Sequence, residues 1–210
     1  SEEFGIHSEV TINGRQVMAR VQAERSHFKS YIEKQVESWS DNKKINGRAY
    51  INKEGLIEVN DERIKADKII IATGSSPFIP DDWEEKLGET LLTSDTVFDL
   101  PDLPESVAVI GTGAVGLELA QAFSRLGVAV TAFNRENRVA GLNDADINAK
   151  AIDCLSEDLT MHLKSTINEI GHKIDTDGKT AAFIEYTDKD GNEGRWQGER
   201  VLVATGRRNN

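Results

Sequence analysis

The sequence predicts an α/β fold with a parallel β-sheet, and three observations carry that prediction. Val107–Ile110 is a short apolar run of the kind that forms a strand buried on both faces of a sheet. Three glycines follow it at once, and apolar residues then recur at helical spacing over Leu117–Leu126. A second apolar run, Val128–Phe133, predicts the next strand. A strand, a helix and a strand in this order favour parallel pairing, because parallel neighbours need a crossover connection.

The three glycines, Gly111, Gly113 and Gly116, have the spacing G-x-G-x-x-G. In the dinucleotide-binding fingerprint of a Rossmann-like sheet, the first glycine permits a tight turn. The second lets the backbone approach a pyrophosphate, and the third lets the helix pack close to the strand. The pyrophosphate lies at the helix N-terminus, where free N–H groups and the helix dipole attract an anion. We therefore predict a dinucleotide site at this turn.

The composition excludes several classes of protein. The net charge of −11 argues against a nucleic-acid surface, which needs clustered Lys and Arg. No apolar run is long enough to span a bilayer, and the first residues do not resemble a signal peptide, so the expected location is cytoplasmic. The only cysteine, Cys154, excludes an internal disulfide framework. We expect no metal site, because neither Cys154 nor any histidine has ligand spacing; the histidines are His7, His27, His162 and His172.

The first half of the chain predicts a hairpin, a helix and a small antiparallel meander. The hairpin turns at Asn13-Gly14, between Val10–Ile12 and Arg15–Val17. Apolar residues at helical spacing predict a helix from Met18 to about Trp39. The three meander strands that follow are Ile45–Ile51, Leu56–Val59 and Arg63–Ala72.

The last of these strands is expected to run deep into a sheet at Ile69–Ile71 and to end in Ala72-Thr73-Gly74. A connector over Phe78–Glu105 follows, without predicted helix or strand, and its prolines in Leu100–Pro104 break both kinds of structure. We place the domain boundary there, so that residues 1–100 and 101–210 form the two predicted domains.

The second half repeats this pattern after the fingerprint. A helix is predicted over Asp144–Leu155. The short third strand that follows it, Leu159–Leu163, extends the parallel sheet. A strand from Arg200 closes the half and ends in a second Ala-Thr-Gly, Ala204–Gly206. The meander strands between them are Ile167–Ile174, Thr180–Tyr186 and Glu193–Gln197. The first half contains no fingerprint, which suggests that the chain begins partway through a longer protein.

Three segments resemble the successive signatures of the flavoprotein disulfide reductases, also called pyridine nucleotide-disulfide oxidoreductases: Ile69–Pro80, Val107–Ala120 and Val201–Arg208. The resemblance is closest to the dihydrolipoamide dehydrogenases. It implies that residues 1–100 are the later part of an FAD domain and residues 101–210 an NAD(P) domain. The family's FAD fingerprint, its redox Cys pair and its dimerisation domain are not in this sequence. We therefore expect no catalytic residue and no turnover in this chain by itself.

For the complete protein, the resemblance implies a dithiol substrate such as dihydrolipoamide, electron transfer through FAD to a nicotinamide cofactor, and a homodimer. Three other readings stay open: a soluble transhydrogenase or NADH oxidase, a glutathione or mercuric reductase, and a non-catalytic NAD(H)-binding module.

The family's nicotinamide-cofactor residues correspond to a continuous stretch, Gly111–Gly116, and five further positions. Glu118 corresponds to a glutamate near the nicotinamide ring. Asn134 stands where NAD-binding members usually have an acid, and Arg135 could pair with the 2′-phosphate of NADP, but Glu136 would oppose that phosphate. NAD is therefore favoured and NADP stays open. The full set is Gly111, Thr112, Gly113, Ala114, Val115, Gly116, Glu118, Asn134, Arg135, Ile167 and Gly206. The positions that correspond to FAD contacts are Ala49, Thr73, Gly74 and Ser75.

Overall fold

The structure is a computed structural model that describes residues 11–174 and 178–210. The chain divides into two compact units. The larger unit contains residues 11–22 and 75–210, and the smaller one contains residues 23–74. His7 and Val10 lie outside the described residues. The division at residue 100 into an FAD and an NAD(P) domain stays a prediction.

The described residues form four α-helices and thirteen β-strands. The α-helices are α1 (Gly14–Glu37), α2 (Trp83–Leu87), α3 (Ala114–Arg125) and α4 (Ala145–Ser156). The strands are β1 (Ala49–Ile51), β2 (Ile57–Val59), β3 (Glu62–Ile64), β4 (Ser75–Pro77), β5 (Leu91–Thr93), β6 (Ser106–Ile110), β7 (Ala129–Asn134), β8 (Thr160–Leu163), β9 (Thr166–Ile174), β10 (Thr180–Thr187), β11 (Glu193–Gly198), β12 (Arg200–Val203) and β13 (Arg207–Asn209). None of these helices is long and apolar enough to cross a bilayer.

The larger unit confirms the predicted fold class. Five strands form one parallel sheet in the order β5-β12-β6-β7-β8, with α3 crossing from β6 to β7 and α4 crossing from β7 to β8. Strands β9, β10 and β11 form the predicted antiparallel meander. The fingerprint strand β6 therefore lies in the centre of the sheet.

Both faces of the parallel sheet are buried, which explains why its strands are continuous apolar runs. Val107, Val109 and Leu202 point to one face and join a core with Leu117 and Phe123 of α3. Their neighbours along β6 and β12 point to the other face, where they pack with residues of the meander and of α2: Ala108, Ile110, Val201, Val203, Leu87, Ile170 and Ile184. The parallel sheet is thus the middle layer of the larger unit.

The smaller unit contains the first meander, with strand order β1-β2-β3. The prediction that Ile69–Ile71 runs deep into a sheet is wrong for the described chain. Residues 65–74 form no strand, and Ile70 and Ile71 are 90% and 72% exposed. An apolar run becomes a buried strand only where neighbouring strands accept its backbone hydrogen bonds, and no described strand pairs with these residues.

The prediction of a hairpin at Asn13-Gly14 is also wrong, because α1 begins at Gly14. The Asn13 side chain accepts a hydrogen bond from the backbone N–H of Gln16 at 3.1 Å. Asparagine in that position is an N-cap, which satisfies one of the N–H groups that the first helical turn leaves free. The same residue type that favours a turn therefore starts a helix here.

The predicted connector contains regular structure that the sequence did not indicate. Strand β5 pairs with β12 as the edge of the parallel sheet, and α2 packs Leu87 into the core between the sheet and the meander. Immediately before the connector, strand β4 pairs with β13, the segment that follows the second Ala-Thr-Gly. Three-residue strands are too short to show a periodicity, so only their partners reveal them.

Two isoleucines of the second meander, one buried and one exposed, give a prediction about stability. Ile184 in β10 is fully buried, whereas Ile174 at the end of β9 is 70% exposed. We expect Ile184→Ala to lower the free energy of unfolding by about 2–5 kcal/mol, because it leaves a cavity. We expect the matched control Ile174→Ala to change it by less than about 0.5 kcal/mol. Urea unfolding followed by circular dichroism measures both, and equal effects would contradict the predicted packing.

Candidate dinucleotide site

Three backbone segments meet so closely at the fingerprint turn that two of its positions admit only glycine. Gly111 has φ +104°, and a Cβ there would lie 2.5 Å from the carbonyl oxygen of Ala204. A Cβ at Gly116 would lie 2.1 Å from the carbonyl oxygen of Gly111 and 3.2 Å from the Cβ of Ala204. Gly111 therefore permits the turn, and Gly116 permits the close approach of α3. Both roles are those that the motif predicts.

Gly113 differs from the other two glycines, since a Cβ there would meet no atom of the described residues within 4 Å other than those of its two chain neighbours. Its backbone is extended, at φ −69° and ψ 176°, so the fold does not require glycine at this position. Gly113 is the N-cap of α3 and provides no side-chain hydrogen bond to the helix. Gly113, Ala114 and Val115 are all exposed. The arrangement fits a pyrophosphate, which needs bare N–H groups and the space that a Cβ would fill.

The loops that follow the parallel strands lie along one edge of the sheet, where α/β proteins bind their ligands. The fingerprint turn follows β6 at the centre of this edge. The Gly111 N–H donates to the carbonyl of Phe133 at 2.8 Å, and the Ala204 N–H donates to the carbonyl of Ile110 at 2.8 Å. The loops after β7 and β12 are therefore held on opposite sides of the turn.

Asn134, at the end of β7, uses its side-chain amide to close the following loop. Its Nδ2 donates to the carbonyls of Glu136 at 3.1 Å and of Arg138 at 3.0 Å. The buried hydroxyl of Thr112 also donates to the Arg138 carbonyl, at 3.0 Å. Because both partners of Nδ2 are carbonyl oxygens, the NH₂ group must face them, and Oδ1 is left to accept from a ribose hydroxyl. Asn134 thus shapes the loop besides being a candidate ligand contact.

The loop after β7 contains one glutamate and two arginines, and only one of these arginines pairs with the glutamate. The Glu136 carboxylate pairs with Arg138 at 2.9 Å, although Arg135 is its sequence neighbour. Arg138 also donates to Asn143 Oδ1 at 2.8 Å. Arg135 is exposed, and its guanidinium makes no hydrogen bond or ion pair with any residue in the described ranges. Arg135 is therefore placed to meet an anion from solvent.

His162 takes part in an aromatic cluster below the end of β7. Its ring stacks on Phe133 with a centroid distance of 5.1 Å, and the Tyr186 hydroxyl lies 3.3 Å from its Nε2. Burial lowers the pKa of His162, while the negative charge of Asp188 acts in the opposite direction. A neutral imidazole packed in this way supports the strand that carries Asn134.

The remaining nicotinamide-site candidates lie at separate places. The Ser165 N–H donates to the Asn134 carbonyl at 3.0 Å, which brings the start of β9, and so Ile167, to the end of β7. Gly206 lies after β12, and Glu118 lies exposed in the second turn of α3. The roles of all three in binding stay predictions.

The FAD candidates are divided between the two compact units. Ala49 lies exposed in β1, and Thr73 and the exposed Gly74, with φ +76°, end the smaller unit. Ser75 begins β4 in the larger unit. Their role as flavin contacts stays a prediction.

Two arginines that shape the edge were not identified from the sequence. Arg138 anchors the loop after β7, and Arg207 contacts Ser75, Ser94 and Asp95. The partners of Arg207 lie more than a hundred positions away in the chain, so no local spacing could have indicated them.

Metal ligands and cavities also bear on which ligands the chain can bind. Within residues 11–174 and 178–210, no group of three or more His, Cys, Asp or Glu side chains is placed to hold a metal ion. An open cavity of about 760 Å³ lies between the loop after β7 and α4, lined by residues that include Glu136, Arg138, Asn148 and Asp153. The fingerprint glycines are not among its lining residues, so the predicted pyrophosphate site is not part of this cavity.

Comparison with known proteins gives three consistent results. The profile of the family described as "Pyridine nucleotide-disulphide oxidoreductase" matches residues 5–210. A mercuric reductase of Staphylococcus aureus is 34% identical over 168 residues, which is 79% of this chain. A mitochondrial dihydrolipoyl dehydrogenase of Dictyostelium discoideum is 31% identical over 159 residues, or 73% of this chain.

A solved structure shows the same fold. The HOCl-induced flavoprotein disulfide reductase RclA from Escherichia coli superposes with a TM-score of 0.63 at 22% identity, over 79% of this chain and 36% of that chain. This chain spans 29% of the mercuric reductase and 32% of the dihydrolipoyl dehydrogenase. It therefore corresponds to about a third of each relative.

Gly113→Ala is predicted to separate ligand binding from folding. The new Cβ meets no more distant atom of the described residues but occupies the predicted pyrophosphate site, so we expect the affinity for NADH to fall about tenfold or more, with an unchanged melting temperature. Gly116→Ala is the contrasting variant, since its Cβ collides with the Gly111 carbonyl and must destabilise the fold. Calorimetric titration and thermal unfolding measure the two effects. Undiminished NADH binding by a folded Gly113→Ala protein would contradict the predicted site.

Asn134→Asp tests the role of the side-chain amide. An aspartate would normally favour NAD over NADP, but here it removes the donor to two loop carbonyls. We therefore expect weaker binding of both dinucleotides and faster amide hydrogen exchange over residues 134–140. Asn143→Asp adds the same charge to the same loop, but keeps the acceptor for Arg138, and serves as the control. A simple gain in NADH preference, without faster exchange, would show that the amide does not shape the loop.

Proposed function

Because this chain belongs to the pyridine nucleotide-disulphide oxidoreductases, we propose that it supplies the nicotinamide-dinucleotide site of an FAD-dependent oxidoreductase. The observation that carries the proposal is Gly113, whose missing side chain leaves open space at an uncapped helix N-terminus. Packing within the chain explains the other two fingerprint glycines. We attribute the glycine at position 113 to a ligand that occupies the space a side chain would fill.

In the proposed complex, each part of the site has one task. The N–H groups at Gly113–Val115 hold the pyrophosphate, and Asn134 with Arg135 receives the adenosine ribose. Ile167, Gly206 and Glu118 line the remaining length of the dinucleotide, and Ala49 with Thr73–Ser75 contacts FAD. The bound cofactors supply the chemistry, in which a hydride (two electrons and one proton) passes between the nicotinamide and the flavin. The chain's own residues bind and orient, and none of them is assigned a catalytic role.

The charges around Asn134 favour a 2′-phosphate more than the sequence suggested. One of two arguments against NADP was that Glu136 would oppose that phosphate; the other was that Gly116 is a glycine where NADP-specific relatives often have alanine. The Glu136 carboxylate is paired with Arg138 at 2.9 Å, so the exposed Arg135 guanidinium meets little opposition. Asn134 is uncharged and does not repel a phosphate either. We propose that the site accepts both dinucleotides and that Arg135 determines their ratio.

For the complete protein we propose the oxidation of a dithiol such as dihydrolipoamide, in which dithiol and NAD⁺ give disulfide, NADH and a proton. A homodimer and a cytoplasmic location accompany this proposal. Similarity to a mercuric reductase supports a second candidate, a reductase of mercuric ion. Assays of the full-length protein with FAD distinguish them: dihydrolipoamide-dependent formation of NADH supports the first, and consumption of NADH or NADPH that depends on mercuric ion supports the second. Dinucleotide binding without either reaction leaves the transhydrogenase, the NADH oxidase and the non-catalytic module.

Arg135→Gln tests the proposed cofactor choice. The variant removes the charge that faces the 2′-phosphate, so we expect NADPH affinity to fall roughly tenfold, the effect of losing one charge-assisted hydrogen bond. NADH affinity should stay the same, because NADH has only a hydroxyl there. Arg208→Gln is the control, since Arg208 is also exposed and lies outside this loop. Equal losses for NADH and NADPH in Arg135→Gln would contradict the assigned role.

A further inference from the structure

The strands that follow the two Ala-Thr-Gly segments pair with each other. Strand β4 begins directly after Gly74, and β13 begins directly after Gly206. The two strands pair antiparallel, so that Ser76 and Arg208, each two residues after its glycine, stand opposite each other. The Phe78 N–H donates to the Gly206 carbonyl at 2.9 Å, which extends the ladder to that glycine. The position of Gly206 is therefore fixed by β4.

Arg207, the residue after Gly206, attaches this ribbon to the edge of the parallel sheet. Its Nε donates to Ser75 Oγ at 2.8 Å, and its Nη2 donates to the Ser75 carbonyl. Its Nη1 donates to Ser94 Oγ at 2.8 Å and to Asp95 Oδ1 at 2.7 Å. Ser94 and Asp95 directly follow β5, the neighbour of β12 in the sheet. One guanidinium thus links β13, β4 and the loop after β5.

The order of the strands indicates which half of a bound dinucleotide would lie near Gly206 and Arg207. Strand β6 with the pyrophosphate turn is central, β7 with Asn134 lies on one side, and β12 with Gly206 lies on the other. A dinucleotide binds across the strand ends with its pyrophosphate at the turn. If its adenosine ribose is at Asn134, its nicotinamide half extends over the end of β12.

We propose that Arg207 is a positioning residue for the nicotinamide half of the bound dinucleotide. Through its contacts with Ser75, Ser94 and Asp95, it holds Gly206 and the loop after β12 in the place where that half binds. The adenosine half depends on α3 and on the loop after β7, with which Arg207 forms no hydrogen bond or ion pair. The inference rests on the proposed function, because it assigns a part of the proposed site.

The test compares two ligands that differ in the nicotinamide half. NADH has both halves, whereas ADP-ribose has the adenosine and the pyrophosphate but lacks the nicotinamide ring. We expect the unmodified chain to bind NADH more tightly than ADP-ribose. Arg207→Met should weaken NADH binding by roughly three- to tenfold, the range that one or two hydrogen bonds account for. Its affinity for ADP-ribose should stay within twofold of the unmodified chain.

Two further variants keep the test decisive. Arg208→Met makes the same substitution at the next residue, whose side chain forms no hydrogen bond or ion pair with the described residues, and should change neither affinity. Arg207→Lys keeps the charge for Asp95 but cannot reach Asp95 and Ser75 at once, so it should give an intermediate loss. The fluorescence of bound NADH, which reports the surroundings of the nicotinamide ring, should change in Arg207→Met and not in Arg208→Met.

The outcomes separate this inference from the proposed function. If the unmodified chain binds neither ligand, the proposed dinucleotide site is wrong, and the inference falls with it. If the unmodified chain binds both equally, or if Arg207→Met loses both ligands in parallel or neither, the dinucleotide site stands and the role of Arg207 is wrong. A selective loss of NADH binding, with ADP-ribose retained, supports the role.

Discussion

The close approach of three backbones at the end of β6 determines the geometry of the candidate site. Gly111, Gly116 and Ala204 meet at distances that leave no space for side chains at the two glycines. The first turn of α3 therefore packs directly against the ends of β6 and β12, at the edge of the sheet. Gly113–Val115 are exposed, so the free N–H groups of this turn are available to an anion.

The loops on both sides of this contact are held by side-chain donors. On the β7 side, Asn134 and Thr112 donate to backbone carbonyls and give the loop its shape. On the β12 side, Arg207 links three segments with one guanidinium. An amide, a hydroxyl and the Glu136–Arg138 ion pair hold the loop after β7, and the Arg207–Asp95 ion pair supports the opposite side. The site thus combines a rigid centre, fixed by packing, with two flanks that depend on a few hydrogen bonds each.

Sequence reasoning succeeded where a signal was local and failed where the partner was distant. The strand, glycine turn and helix at residues 106–125 are one continuous pattern, and the structure has each of them. The strand β5 is three residues long and is defined only by pairing with β12, about a hundred positions later. Asn13-Gly14 fits a turn and a helix start equally well, and Ile69–Ile71 has strand composition without a described neighbour to pair with. Glu136 was expected to oppose a 2′-phosphate beside Arg135, and no sequence pattern indicated that its carboxylate forms an ion pair with Arg138.

The sequence by itself determined the α/β class, the parallel sheet, the meander and the place of the glycine turn, because each follows from short-range periodicity and from glycine's freedom at fixed positions. Only the tertiary structure decided how the sheet edge is built: which strand closes it, which carbonyls Asn134 contacts and which segments Arg207 joins. Hydrogen bonds and ion pairs depend on distance in space, and the chain's folding brings together residues whose separation along the sequence gives no indication of that distance.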